Sequence, residues 1–97
     1  MSPEQSDAYG KVMKTLDELG PAKLQPQEQQ LIRGAADALI FTANLRDDVA
    51  ARKALREARE LCRALVESSR WQEETAVRLI DDLIHCGPEP ELELSAV

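Results

Sequence analysis

One histidine, His85, and two cysteines, Cys62 and Cys86, are the only candidates for a soft metal site in this sequence. Asp81 and Asp82 precede His85 and Cys86 by four residues each, so on a helix each aspartate shares a face with its partner. Asp81, His85 and a cysteine are residue types that hold zinc. The spacings that build such sites on helices (C-x-x-C, H-E-x-x-H, E-x-x-H) do not occur. The plainer reading puts Cys62 in the core as a small hydrophobe and His85 over the negative end of a helix, with no metal and no cofactor. A small metal- or ligand-binding bundle near Asp81, His85 and Cys86 is the alternative. A single histidine leaves acid–base work to carboxylates, and only Asp37, one turn after Arg33, is set into an apolar helix. No phosphate-cradling glycine loop or nucleophile elbow is present, so the expectation is that the chain is not an enzyme.

A different chemistry is written more plainly. Arg52, Arg56, Arg59 and Arg63 recur at spacings of four, three and four, which aligns them as one cationic stripe on a helix. Lys plus Arg is 12 against 18 Asp plus Glu, a formal charge of −6, yet residues 44–70 hold seven cations and five acids. The charge is therefore segregated, with the remainder of the chain strongly acidic. Arginine binds carboxylates through paired hydrogen bonds, so the stripe is a candidate docking surface for another protein of acidic character. The competing reading is that Glu60, Glu67, Asp81 or Asp82 neutralise it within the chain. Trp71, between two helices, is either a lid on the core or an exposed anchor for the same partner. The overall charge opposes nucleic-acid binding, and a helix-turn-helix would need a shorter helix before the stripe and a tighter turn.

Four helices must position these residues. The first is expected to start near Ser6, to carry Tyr9, Val12, Met13, Leu16 and Leu19 on one stripe, and to stop at Gly20-Pro21. The second opens at Pro26, with Leu24 as a staple, and runs to about Asn44. Its apolar residues, from Leu31 to Ala43, cover more than half the circumference, so it is expected at the centre of the domain. The third begins at Asp47 or Asp48 and reaches Glu67 or Ser68, with its small residues facing Gly34. Ser69 with Gln72 reads as the capping box of the fourth, which Gly87-Pro88 ends.

Strand signals are nearly absent, and short connections favour antiparallel neighbours. The expected architecture is all-α, a small antiparallel four-helix bundle with the second helix central. Residues 1–5 are expected to be a flexible N-terminus, 6–87 a single helical domain and 88–97 a disordered acidic tail. No apolar run approaches the roughly 20 residues that span a bilayer, and the start lacks signal-peptide features, so the expected location is cytoplasmic with no membrane partner. The wide arc of the second helix gives a reason to expect a homodimer. The leading functional expectation is a non-enzymatic adaptor or regulatory module, with Arg52, Arg56, Arg59, Arg63 and Trp71 as its partner-binding residues.

Overall fold

The computed structural model describes residues 3–45 and 47–87. The expected tail at 88–97 lies outside the described residues, as do Met1 and Ser2. Four α-helices, α1 (Pro3–Lys23), α2 (Pro26–Phe41), α3 (Val49–Glu67) and α4 (Glu73–Cys86), form an all-α bundle with no strand among the described residues. The most extensive contacts are α1 with α4 and α2 with α3, while α2 also touches both α1 and α4. α4 likewise touches all three other helices, so it shares the centre with α2, whose apolar width suits that place: Ile32, Ala35, Ala36 and Leu39 are fully buried and Ile40 nearly so.

The helix ends follow local chemistry, with four corrections. First, α1 starts at Pro3 instead of Ser6, because proline suits a first helical position that needs no N–H donor. Residues 3–5 of the expected flexible segment are thus helical, and the Gln5 side chain donates to the Cys86 carbonyl at 3.0 Å. Gly20 does interrupt α1, with φ 68° and ψ 177°, a conformation that a side chain would strain, and a short helical stretch follows it. Second, α2 ends at Phe41, before Asn44, and Thr42 is extended. Continued helix would have carried Leu45 to the face away from the core, whereas the turn buries it to 3% exposure.

At the start of α3 the Asp48 carboxylate accepts the Ala51 N–H at 2.9 Å. That bond, with a second from Thr42, holds its carboxyl below the usual aspartate range. Third, Ser69 does not cap α4. It adopts φ 66° and closes α3, its N–H reaching the Val66 carbonyl and that of Arg70 the Leu65 carbonyl, the paired bonds of a left-handed helix stop. The N-cap of α4 is Gln72, and Glu73 and Glu74 place negative charge in its first turn.

Fourth, Gly34 makes no close approach to α3. It is exposed, and a Cβ built there meets nothing within 4 Å. Glycine in an open helix interior costs about 1 kcal/mol relative to alanine. Gly34→Ala is therefore expected to stabilise the fold by about that amount in urea denaturation, and a loss of stability would mean the position is packed.

Candidate functional site

The connection between α1 and α2 and that between α3 and α4 meet at one end of the bundle. Trp71 is the lid there, 4% exposed, with its indole N–H donating to the Lys23 carbonyl at 2.8 Å. An indole so placed is withdrawn from any partner, which corrects its assignment as a binding residue. Beside it the Arg70 guanidinium holds the Glu28 carboxylate through two 3.0 Å hydrogen bonds. Glu28 also accepts the Gln25 N–H at 2.8 Å, so one carboxylate caps α2 and anchors the α3–α4 turn. No sequence signal joins residues 42 apart, and this pair was not foreseen.

The Arg70 hydrogen bonds, helped by the Gln25 N–H, hold the Glu28 carboxyl below its ordinary value near 4.5. A carboxyl depressed on folding adds stability above its unfolded pKa and loses it as the pH falls through the folded one. Glu28→Gln is expected to cost about 1–2 kcal/mol near pH 7, with the gap to wild type narrowing below about pH 4.5. Urea midpoints measured across pH check this, and a gap indifferent to pH would contradict it.

Between α3 and α4 runs an open groove of about 650 Å³. Its apolar surface comes from Cys62 and Val66 of α3 and Ala76, Val77, Ile80 and Ile84 of α4. Adjacent apolar residues on α4 explain it. Leu79 and Leu83 are fully buried in the core, Ala76 and Ile84 are buried there and also border the groove, and Ile80 and Val77 are left progressively more exposed on it. Val77 remains 61% exposed. The repeated apolar doublets are the sequence signal for this wall, since a core-facing stripe alone needs only one member of each.

The arginine stripe borders this groove. Arg59 and Arg63 line it directly, with Glu67 at the end near the α3–α4 turn, and Glu73 and Asp81 form the opposite rim. Helical spacing continues the stripe to Arg56 and Arg52, both exposed. Among the described residues no ion pair within 4 Å joins Arg52, Arg56 or Arg63 to an acid. Of the acids expected to neutralise them, Asp82 is half-buried and within the field of Lys11 on α1, Asp81 lies beside His85, and Glu60 and Glu67 are exposed on α3 without an ion pair to these three arginines.

Asp81, His85 and Cys86 do not converge. The His85 Nδ1–H donates to the Asp81 backbone carbonyl at 2.7 Å, and the imidazole is exposed. Cys86 is fully buried, and burial, with the Asp82 charge, pushes its thiol up to about 12. Burial does the same to Cys62. Both cysteines are free, neutral thiols, unlike the thiolates that bind metal. No cluster of three metal-binding side chains occurs among the described residues.

The chain matches no protein-family model, no curated protein and no solved structure.

Asp37, the polar group in α2, is partnered by Tyr9 of α1, whose hydroxyl donates to it at 2.5 Å. That hydrogen bond, followed by burial, raises the Tyr9 pKa. The carboxylate thus ties two helices together, and both Arg33 and Asp37 are exposed. No described helix is long and apolar enough to cross a membrane.

Proposed function

We propose that the chain is a non-enzymatic interaction module that binds another protein along α3 and the α3–α4 groove. The observation that carries this reading is an open apolar groove, with Val77 61% exposed, beside Arg63 and Arg56, which form no ion pair within 4 Å among the described residues. The partner segment supplies apolar side chains for Val66, Val77 and Ile80 and turns its carboxylates toward Arg63 and Arg56. The acids on the α4 rim, Glu73 and Asp81, repel a carboxylate placed the other way, so the rims fix which side of the partner faces α3.

Self-association is not required by the core. The wide arc of α2 is covered within one chain except at its end, where Phe41 is 78% exposed. The other large hydrophobics left exposed among the described residues are Val49 of α3 and Val77 of α4, so α2 itself presents no further large apolar side chain to a second copy. Light scattering of the free chain is therefore expected to give the mass of one copy.

A photo-crosslinker at Val77, compared with one at exposed Lys14 of α1, tests the module in its native cell. Selective capture at Val77 is expected, falling about tenfold with Arg56→Glu and Arg63→Glu together, with helicity unchanged. Equal capture at both sites, or indifference to charge reversal, would remove the proposal.

A further inference from the structure

We propose that residues 88–97 of this same chain dock in cis on the N-terminal half of α3, beyond the end of α4, and there compete with the acidic partner. This rests on the reading of α3 as the docking surface and adds its regulation.

The placement comes from the register of the two helices. Glu67 shares the groove with Glu73 at one end, and Arg59 with Ile84 at the other, so α3 and α4 are antiparallel. Continuing the same register sets Arg56 level with Cys86. Arg52 and Val49 then stand roughly 5–10 Å past the last turn of α4. The chain arrives at that level with Gly87 buried and extended, at φ −81° and ψ 163°. Pro88, next in sequence, cannot continue a helix and favours extended backbone before it.

The uncovered surface that follows has a definite chemistry. Val49, Arg52 and Arg56 follow one another at spacings of three and four along one side of α3, and all are exposed. Val49 is 66% exposed, one of the few large apolar side chains left in solvent. Of the nearby acids, Asp48 accepts the Ala51 N–H and lies in the field of Arg52 without an ion pair to it within 4 Å, and Glu57 pairs with Lys53 at 3.9 Å.

Residues 88–97 read Pro-Glu-Pro-Glu-Leu-Glu-Leu-Ser-Ala-Val. In extended backbone successive side chains face opposite ways, so Glu89, Glu91 and Glu93 fall on one side and Leu92 and Leu94 on the other. Carboxylates at every second position meet Arg56 and Arg52 in turn, while the leucines have Val49 to cover. Ten residues reach up to about 33 Å, well beyond the roughly 17 Å of α3 between Arg63 and Arg52. The link is intramolecular, so even weak contacts compete against a partner at high effective concentration.

A nitroxide on Ser95→Cys in the full chain tests this, because Cys62 and Cys86 are buried and resist the label. Docking predicts that the Val49 methyl signals lose most of their intensity and recover when Glu89, Glu91 and Glu93 are all changed to Gln. The tether is the same length in both chains, so broadening unchanged by the triple substitution overturns the proposal. Competition further predicts that the same triple substitution raises capture at Val77 severalfold, and unchanged capture would overturn the regulatory role. Capture at Val77 that persists with an undocked tail would leave the module standing without this device, whereas loss of Val77 capture would remove the module itself.

Discussion

Trp71→Ala is expected to lower stability by about 3–5 kcal/mol, enough to leave a domain of this size barely folded. Three consequences of one side chain combine in that number. The indole is 4% exposed, so its removal leaves a cavity at the end of the core that neighbouring side chains fill only in part. Its N–H is the partner of the Lys23 carbonyl, which is left without it near the end of α1. It also follows directly on the left-handed Ser69 and the Arg70 anchor, so the cavity opens where two inter-helix connections are joined. Trp71→Phe separates these effects, keeping most of the apolar volume while losing the hydrogen bond, for an added cost of about 0.5–1.5 kcal/mol from that bond. Circular dichroism in urea measures both variants, since Trp71 is the only tryptophan and fluorescence is lost with it. A Trp71→Ala chain of near wild-type stability would show that the indole is not a lid.

Leu39→Ala is expected to cost about 2.7–5 kcal/mol, whereas Phe41→Ala, two residues along the same helix, should change stability by less than about 0.5 kcal/mol. Leu39 has no exposed surface, and its Cδ2 lies where a Cβ on Gly87 would be 3.6 Å away, so it packs beneath the end of α4. Phe41 is 78% exposed despite being the larger hydrophobe. Residue type alone ranks the two the other way. Urea midpoints with an unchanged slope would assign the difference to the folded state. A costly Phe41→Ala would place that ring in an interface of the working protein.

The features legible in the sequence are those decided within a turn of chain. The stop at Gly20-Pro21, Pro26 at the head of α2 and the choice between Asp47 and Asp48 all depend on neighbours a few residues away. The central place of α2 was legible because its apolar arc is too wide for one contact face. Ser69 was misread because a serine followed three residues later by glutamine resembles a helix start, and the left-handed turn that closes α3 more often uses glycine. Gly34 was misread because a helix glycine suggests close packing, while the rotation of α2 leaves it facing outward. Pairs such as Tyr9 with Asp37 and Glu28 with Arg70 require knowing which faces meet. The arginine stripe followed from spacing alone. The groove beside it did not, because it depends on how far apart α3 and α4 lie below their shared turn.

Trp71 with Lys23 and Arg70 with Glu28 fasten two connections at one end of the bundle, while the opposite end holds the α2–α3 connection and the start of α1 against the end of α4. The two ends are thus closed by different means, polar pairs between connections at one and the enclosed end of α4 at the other, where Cys86 and Gly87 are buried. The groove follows this difference: it is sealed near Ile84, 5% exposed, and open near Val77, 61% exposed, so its mouth lies toward the α3–α4 turn.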